Sequence, residues 1–401
     1  MSQEFQYVII GGGTAAAHAA AGIRARDSKG SIVIFSSEPH LPYDRPPLTK
    51  GLWLGKTTIE ELPVHDRAYY AANNVELRLT TEIVELLPRE KKIRDSSGTI
   101  FQYENLLIAT GGTPRTLPFG HGIVHYFRTI DDYLSLRDSA ADAASFLLFG
   151  GGFIGAELAA ALTLRGKRVV MVFPDRFLLQ RVLPTDLAQS VTEYYRSKGI
   201  AIEDGEIPAG ISSNGGSAVV TTRSGKRLAG DVIVGAIGLD LNTRLAAQAG
   251  LEVGNGIVVN ACLQTSDASI YAAGDVAQFP SAALERQVRI EHWDNARAQG
   301  RLAGENMAGA SKAYDYLPYF YSDLFDLGFE AVGDLDSRLE TFADWKRPFR
   351  EGVVYYIDRG KVTGVLLWNV WEKVDAARAL INEKSTFGDP SVLRGRLSMS
   401  Q

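Results

Sequence analysis

The chain has 401 residues, 45% of them hydrophobic, and a formal net charge of −5. This length predicts two or three domains, and the acidic balance argues against nucleic acid or an anionic membrane surface as a partner. Its only cysteine, Cys262, excludes an intramolecular disulfide, a Cys-x-x-Cys redox pair and a cysteine-ligated iron–sulfur cluster, so redox chemistry would have to use a bound cofactor.

The beginning of the chain and its most apolar stretch carry no targeting or membrane signal. Residues 1–5 lack the basic and apolar segments of a secretion signal, so a cytoplasmic location is expected. The most apolar window, residues 146–164, contains Glu157 and four glycines, which predicts strand, turn and helix instead of a membrane span. The histidines have no metal-ligand spacing, so no metal site is expected.

One pattern occurs twice: a β-branched or aromatic strand, a glycine cluster, an alanine-rich helix and a second apolar strand. The first copy comprises residues 7–10, 11–13, 15–26 and 32–35, and the second comprises residues 145–149, 150–152, 155–165 and 169–173. Each copy is a βαβ unit. The sequence therefore predicts an α/β fold with two Rossmann-type dinucleotide-binding domains.

Later strands indicate how the two domains are connected. Apolar strands that run into glycine close each copy at residues 106–111 and 232–238, and a third such strand follows at 270–275. The simplest topology inserts the second domain into the first, and we interpret Cys262 as a buried, inert thiol in a strand over 258–263. Beyond residue 312, strands at 352–357 and 362–370, a tight turn at 358–360 and a helix over 372–384 predict an α+β domain.

Both glycine clusters have the spacing of a phosphate-binding turn. Gly150-x-Gly152-x-x-Gly155 is a complete match, and Gly11-x-Gly13-x-x-Ala16 has alanine at the helix-packing position. Between a strand and a helix, such glycines let the backbone approach a pyrophosphate, which the helix dipole stabilises. The alternative is a glycine-rich turn that only packs the helix on the strand.

An acidic residue after the second strand of each copy should accept the adenosine ribose hydroxyls. In the first copy, Glu38 lies at a suitable distance along the chain from the glycine cluster, and Asp175 does so in the second copy. Asp175 favours NADH, whereas the neighbouring Arg176 could tolerate the 2′-phosphate of NADPH. We expect NADH.

Several segments resemble the NADH-dependent ferredoxin reductases and apoptosis-inducing factor. Residues 42–50, Pro-Tyr-Asp-Arg-Pro-Pro-Leu-Thr-Lys, resemble a segment of that family, as do residues 109–115, 127–129 and 273–275. Residues 301–307, 321–324 and 328–333 are similar to apoptosis-inducing factor, and residues 291–296 combine features of both groups. The chain lacks the long C-terminal insertion and basic surface of animal apoptosis-inducing factor, so a nuclear, DNA-binding role is not expected.

The resemblance implies FAD and NADH as cofactors and assigns the domains. The FAD-binding domain would comprise residues 1–117 and 243–312, the NAD(H)-binding domain residues 118–242, and the C-terminal α+β domain residues 313–401. Lys50 and Glu157 would form a catalytic ion pair beside the flavin. The alternatives are an exposed lysine after a loop and a solvated helix glutamate.

The resemblance also implies further cofactor contacts. Ser37 stands where the family has its ribose-binding acid, which leaves Glu38 one position late. Trp293 could be a flavin neighbour or a core aromatic, and Arg115 could be a surface arginine. The full expected set is Gly11, Gly13, Thr14, Ala15, Ala16, Ser37, Glu38, Arg45, Lys50, Ile83, Thr110, Gly111, Arg115, Arg128, Gly150, Gly152, Phe153, Ile154, Gly155, Glu157, Asp175, Arg181, Gly238, Gly274, Asp275, Glu291, His292 and Trp293.

Three functions are compatible with these observations. The leading one is hydride transfer from NADH to FAD, followed by electron transfer to a ferredoxin-like or rubredoxin-like carrier. The second resembles apoptosis-inducing factor, with a quinone or oxygen as acceptor and redox-controlled formation of a homodimer. The third is a flavin-bound scaffold whose redox state controls partner docking. The single cysteine excludes disulfide reductase activity.

Overall fold

A computed structural model describes residues 3–214 and 217–397. The α-helices are α1 (Thr14–Arg24), α2 (Arg67–Ala72), α3 (Ile130–Asp142), α4 (Phe153–Leu164), α5 (Thr185–Ser197), α6 (Arg244–Gln248), α7 (Trp293–Met307) and α8 (Val374–Asn382). Short 3-10 helices lie at Pro46–Thr49, Ile59–Glu61, Pro88–Glu90 and Pro390–Leu393.

The strands fall into three stretches of the chain. The first stretch contains β1 (Gln3–Ile10), β2 (Ile32–Phe35), β3 (Val75–Arg78), β4 (Ile83–Leu87), β5 (Lys92–Asp95), β6 (Ile100–Ile108), β7 (Gly112–Pro114) and β8 (Val124–Tyr126). The second contains β9 (Ser145–Phe149), β10 (Arg168–Phe173), β11 (Ala201–Asp204), β12 (Pro208–Asn214), β13 (Ser217–Thr222), β14 (Arg227–Gly230), β15 (Val232–Gly235) and β16 (Leu239–Leu241). The third contains β17 (Val253–Gly254), β18 (Gly256–Val258), β19 (Ile270–Ala272), β20 (Ala277–Ser281), β21 (Arg286–Val288), β22 (Tyr319–Leu324), β23 (Leu327–Gly333), β24 (Glu340–Arg347), β25 (Glu351–Asp358) and β26 (Lys361–Trp368).

The chain forms two compact units. Unit 1 comprises residues 1–45, 60–113 and 241–318, and unit 2 comprises residues 46–59, 114–240 and 319–401. Unit 1 thus holds most of the predicted FAD-binding domain. Unit 2 holds most of the predicted NAD(H)-binding domain and the C-terminal domain, together with the 46–59 segment.

Unit 1 is built on a sheet in the order β3-β2-β1-β6-β5-β4, whose first four strands are parallel. The apolar runs at residues 7–10, 32–35 and 106–108 of β1, β2 and β6 are buried, as is typical of the central strands of a parallel sheet. Strand β19 pairs in parallel with β6, so the chain returns to the first sheet after the insertion, as predicted. The strands β1, β2 and β6 end level with one another, which places the residues after them at one edge.

Helices α1 and α7 pack against each other in unit 1 with their backbones in close approach. A Cβ atom on Gly300 would lie 2.3 Å from the Ala15 carbonyl oxygen, and one on Gly304 would lie 2.1 Å from that of Ala19. These distances are far below van der Waals contact, so only glycine fits there. This packing holds the two helices side by side.

Unit 2 contains a second parallel sheet, in the order β11-β10-β9-β15-β8. A three-stranded antiparallel sheet, β12-β13-β14, packs beside it through a core that includes Leu147, Val220 and Ile233. Strands β9, β10 and β15 repeat the arrangement of β1, β2 and β6 in unit 1. The predicted duplication of the βαβ unit is therefore confirmed.

The C-terminal part of unit 2 is an antiparallel sheet in the order β22-β23-β26-β25-β24, covered by α8. The tight turn predicted at 358–360 joins β25 to β26, and Arg359 and Gly360 both have positive φ, as a two-residue hairpin turn requires. Helix α8 is shorter than predicted because Glu372 and Lys384, on either side of it, adopt left-handed conformations. Within the described part of the chain, no helix is both long enough and apolar enough to cross a membrane.

The prediction that Cys262 lies in a buried strand is wrong. Strand β18 ends at Val258, and the side chain of Asn260 accepts hydrogen bonds from the backbone N–H groups of Cys262 and Gln264. An asparagine side chain that binds nearby backbone in this way forms a turn and ends the strand. Cys262 is half-buried in that turn.

Candidate functional site

The first glycine cluster follows β1 and leads into α1. Gly11 has φ +127°, and a Cβ atom there would lie 2.1 Å from the carbonyl oxygen of Ala109, at the end of the neighbouring strand. A Cβ atom on Gly13 would meet no atom within 4 Å. The first glycine therefore makes the turn possible, and the second leaves its outer side open to a ligand.

The second cluster, between β9 and α4, has the same construction. Gly150 has φ +115°, and a Cβ atom there would lie 2.1 Å from the Ala236 carbonyl oxygen, whereas Gly152 again faces open space. The two clusters differ at their last position. A Cβ atom on Gly155 would lie 2.2 Å from the Gly150 carbonyl oxygen, but the first cluster accommodates the methyl group of Ala16 there.

Both clusters fit a dinucleotide pyrophosphate. Gly13 and Gly152 are the N-cap residues of α1 and α4, and no side chain among the described residues caps either helix. The first backbone N–H groups of each helix are thus left for a ligand, and the helix dipole favours an anion there. The residues present suit a dinucleotide at each cluster, and the assignment of FAD to the first cluster and NADH to the second stays a prediction.

Asp44 connects the start of α1 to the start of α7 in unit 1. Its Oδ1 atom accepts hydrogen bonds from the Thr14 hydroxyl at 2.8 Å and from the Trp293 indole N–H at 2.7 Å. Arg297 lies over the Trp293 ring at 5.4 Å. The sequence analysis missed Asp44, although it lies within the family-like segment 42–50.

Glu38 binds side chains of its own region. Its carboxylate accepts a hydrogen bond from Arg45 at 2.9 Å and from the Tyr43 hydroxyl at 2.6 Å, while Ser37 is exposed. The structure thus assigns Glu38 to the orientation of Arg45. A contact of Glu38 or Ser37 with an adenosine ribose stays a prediction.

Two predicted flavin segments of unit 1 are held by amide side chains that the sequence analysis missed. Asn242 donates from its side chain to the Thr110 carbonyl at 3.0 Å and from its backbone to the Gly111 carbonyl at 3.0 Å. Gln299, which is fully buried, accepts from the Gly274 backbone N–H at 2.9 Å. Gly274 has φ +81°, which glycine adopts without strain, and the Gln299 side chain holds this turn before Asp275 in place.

The remaining predicted residues of unit 1 occupy contrasting positions. Ile83 is buried at the start of β4. Glu291 forms an ion pair with Arg289, with 2.5 Å between the charged atoms. His292 is the N-cap of α7, and burial lowers its pKa to about 4, so it is neutral at pH 7. Neutral His292 can therefore accept as well as donate a hydrogen bond.

Lys50 and Glu157 form the predicted ion pair within unit 2. Lys50 Nζ lies 3.2 Å from Glu157 Oε1, and their side chains are only 14% and 8% exposed. The carboxylate also accepts from the Ser322 hydroxyl and the Thr49 hydroxyl, each at 2.6 Å. Burial raises the pKa of Glu157, while Lys50 and the two hydroxyls pull that pKa back down. The alternatives of an exposed lysine and a solvated glutamate are excluded.

The predicted contact residues around the second cluster differ in their exposure to solvent, and their contact with NADH stays a prediction. Asp175 is half-buried after β10 and lies 3.6 Å from the highly exposed Arg181. Phe153 packs edge-on against Phe320 of the C-terminal sheet, and Ile154 beside it is half-buried.

Three residues predicted for the cofactors lie elsewhere in unit 2. Arg115 is exposed and pairs with Asp240 at 2.8 Å, and its backbone N–H donates to the Gly238 carbonyl at 2.9 Å. Arg128 is half-buried just before α3, and its backbone N–H donates to Asp132. Their contacts with cofactors stay predictions.

Two family models cover most of the chain. The model described as pyridine nucleotide-disulphide oxidoreductase matches residues 5–300. The model described as the C-terminal domain of mitochondrion-associated apoptosis-inducing factor matches residues 303–348 and 343–383. The chain is also 33% identical over 438 residues to apoptosis-inducing factor 1, mitochondrial, of Dictyostelium discoideum, which covers 100% of this chain and 82% of the relative.

Ferredoxin reductases are also similar to this chain. It is 36% identical over 380 residues to the ferredoxin–NAD(+) reductase component of the anthranilate 1,2-dioxygenase system of Burkholderia cepacia, with 94% of this chain and 93% of the relative covered. The solved structure of a covalent putidaredoxin reductase–putidaredoxin complex superimposes with a TM-score of 0.89 at 30% identity, covering 97% and 96% of the two chains. The chain belongs to the pyridine nucleotide-disulphide oxidoreductase family and is an NADH-dependent flavoprotein oxidoreductase that uses FAD.

Proposed function

We propose that this enzyme passes the electrons of NADH, by way of FAD, to a ferredoxin-like or rubredoxin-like carrier protein. The observation that carries the proposal is the pairing of two dinucleotide cradles with a single cysteine, which lies half-buried in a turn of unit 1. A disulfide relay needs two thiols. The electrons must therefore pass directly from the flavin to an external acceptor. The Burkholderia relative is named a ferredoxin–NAD(+) reductase, and the solved structure holds a reductase bound to putidaredoxin.

The chain contributes positioning and charge to this reaction. FAD, when bound, accepts a hydride and releases its two electrons singly. Lys50 supplies a positive charge that favours the negative charge arriving with the hydride, and Glu157 holds that ammonium group in place. The half-buried Asp175 is suited to accept the NADH ribose hydroxyls.

A second candidate is supported by the C-terminal model match to apoptosis-inducing factor. In that case the reduced enzyme would react with a quinone or oxygen and would form a homodimer when NADH binds. The two candidates share the first half-reaction and differ in the acceptor, so the second half-reaction separates them.

The test is to reduce the enzyme anaerobically with NADH and then mix it with one acceptor at a time. The panel contains an oxidised [2Fe–2S] ferredoxin, a rubredoxin, a soluble quinone and oxygen. We expect reoxidation by at least one carrier protein at about 1–100 s⁻¹, the ordinary range for enzymes. Quinone and oxygen should be slower by at least about tenfold.

A Gly152→Val variant serves as the control, because a side chain at this open position should block NADH and leave the FAD site of unit 1 unchanged. When that variant is reduced with dithionite, its reoxidation by the carrier should match that of the parent. Faster reoxidation by quinone or oxygen than by any carrier, together with a doubling of mass on NADH addition in light scattering, would refute the carrier proposal and favour the second candidate.

A further inference from the structure

The Glu157 carboxylate has a hydroxyl donor on each oxygen. Ser322 donates to Oε1 and Thr49 donates to Oε2, both at 2.6 Å, which is within the range of about 2.5–2.7 Å typical of a hydroxyl bound to an ionised carboxylate. The two donors come from the C-terminal strand β22 and from the 3-10 helix at Pro46–Thr49. Ser322 is 1% exposed and Thr49 is 7% exposed, so water does not substitute for them.

The surroundings explain why this carboxylate needs such donors. An ionised carboxyl removed from water is stable only when charges and hydrogen bonds compensate it. Lys50, in the same segment as Thr49, pairs with this carboxylate and also lies 3.5 Å from the exposed Asp323 of β22. Burial and the nearby Glu157 carboxylate raise the pKa of Tyr195 on α5. Tyr195 donates its hydroxyl to the Ala156 carbonyl, so it is not a donor to the carboxylate.

Strand β22 places Ser322 on its inward face. Successive side chains of a strand point to opposite sides, so Tyr319, Tyr321 and Asp323 face outward while Phe320, Ser322 and Leu324 face inward. A hydroxyl between two apolar residues in a buried row costs stability unless it is hydrogen-bonded. The carboxylate of Glu157 accepts that hydrogen bond. Tyr321, on the outward face, forms a cation–π interaction with Lys50, whose Nζ atom lies 4.0 Å from the centre of the ring.

We propose that Ser322 and Thr49 are positioning residues for flavin reduction, which keep Glu157 ionised and directed at Lys50, and that the C-terminal sheet is thereby part of the catalytic site. This inference rests on the proposed role of the Lys50–Glu157 pair in hydride transfer. It predicts that the loss of either hydroxyl slows flavin reduction most at low pH, where Glu157 is more readily protonated.

The first experiment measures the rate of FAD reduction by NADH between pH 6 and pH 9 in the holoenzyme. A hydrogen bond to a charged group is worth about 1.5 kcal/mol or more, which corresponds to roughly tenfold. Ser322→Ala and Thr49→Val should therefore reduce slowly at pH 6, by about tenfold, and recover to within about twofold by pH 9. Thr49→Ser keeps the hydroxyl and should retain the parent profile, as should Thr341→Val, which removes a hydroxyl from β24 of the same sheet.

The second experiment measures the free energy of unfolding in urea over the same pH range. An acid whose pKa is raised by folding stabilises the protein below its unfolded pKa, and this contribution is lost as the pH rises through the folded pKa. Loss of the Ser322 hydroxyl raises the folded pKa of Glu157 further, so the destabilisation by Ser322→Ala should grow from pH 5 to pH 9. In a Glu157→Gln background, this pH dependence should disappear.

The two experiments separate failure of this inference from failure of the proposed function. If NADH does not reduce the parent enzyme, the function is wrong, and the unfolding measurement still decides whether the hydroxyls keep Glu157 ionised. If the parent is reduced normally and the hydroxyl variants show the parent's rate and pH profile, the positioning role is refuted. A rate deficit that is independent of pH and is not rescued by Thr49→Ser would also refute it.

Discussion

The two glycine clusters have the same backbone arrangement and differ in the side chains around it. Gly11 and Gly150 each turn at positive φ against a carbonyl oxygen of the neighbouring strand, and Gly13 and Gly152 each leave open space. Around the first cluster, Asp44 ties the start of α1 to the start of α7 through hydrogen bonds. Around the second, Phe153 at the start of α4 packs against Phe320, and the hydrogen-bonded side chain of α4 is Glu157, one turn further along the helix.

This difference matches the predicted assignment of FAD to the first cluster and NADH to the second. A cofactor that stays bound gains from a polar framework that fixes two helix starts, because the framework lowers the cost of ordering the site. A cofactor that enters and leaves in each turnover needs an accessible site, and Arg181 beside the second cluster is highly exposed. On this assignment, the same phosphate cradle would serve retention in one unit and exchange in the other.

The largest effect that could break this comparison is expected at the first glycine of each cluster. Gly11→Ala would place a methyl carbon 2.1 Å from the Ala109 carbonyl oxygen at a φ that alanine rarely adopts, and Gly150→Ala would do the same against Ala236. We expect Gly11→Ala to purify without flavin. Gly150→Ala should retain the FAD absorbance at 450 nm and lose reduction by NADH by about 100-fold or more, equivalent to about 3 kcal/mol.

Dithionite provides the control for this pair. It should reduce Gly150→Ala as fast as the parent, because the reagent does not use the NADH site. A colourless Gly150→Ala protein would show that the two cradles are not independent.

The sequence predicted the architecture because backbone geometry imposes strict requirements on residue type. A strand, a glycine cluster and an alanine-rich helix can hardly adopt another arrangement, and the strand at 270–275 indicated the return of the chain to the first sheet, now seen as β19 beside β6. The ion pair of Lys50 and Glu157 followed from family resemblance, and the structure brings the two side chains together.

Side-chain networks could not be predicted in the same way. Asp44, Asn242, Gln299 and Ser322 act through contacts between distant segments, and neither periodicity nor spacing reports such contacts. The prediction that the segment around Cys262 forms a strand was wrong for a related reason. Its apolar pattern is that of a strand, but one asparagine side chain competes for the backbone and forms a turn.

An intermediate effect is expected at the last position of each cluster. Gly155→Ala would place a methyl carbon 2.2 Å from the Gly150 carbonyl oxygen, so α4 must move away from β9. Overpacking of this kind costs about 1–3 kcal/mol. We expect the KM for NADH to rise about tenfold or more, with the FAD content unchanged.

The reciprocal change, Ala16→Gly, removes a methyl group for which the first cluster already has room. It should weaken FAD binding by no more than about fivefold, since glycine costs α1 at most about 1 kcal/mol. Titration of the apoprotein with FAD and steady-state kinetics with NADH measure the two effects. Equal losses in both variants would show that the last position is not where the clusters differ.

Effects limited to about tenfold should come from the residues that follow the second strand of each unit. Asp175 is predicted to accept the ribose hydroxyls of NADH, so Asp175→Ser should lower kcat/KM for NADH by about tenfold and leave that for NADPH nearly unchanged.

In unit 1, Glu38 is held by Arg45 and Tyr43, and the exposed Ser37 provides no carboxylate. Ser37→Glu would supply one at the family's usual place and should tighten FAD binding by up to about tenfold, as measured by fluorescence quenching of FAD. A Glu38→Gln variant distinguishes the two possible roles of Glu38, which are to orient Arg45 and to bind the ribose. If Glu38 only orients Arg45, the gain from Ser37→Glu persists in the double variant, whereas loss of that gain would mean that Glu38 already binds the ribose.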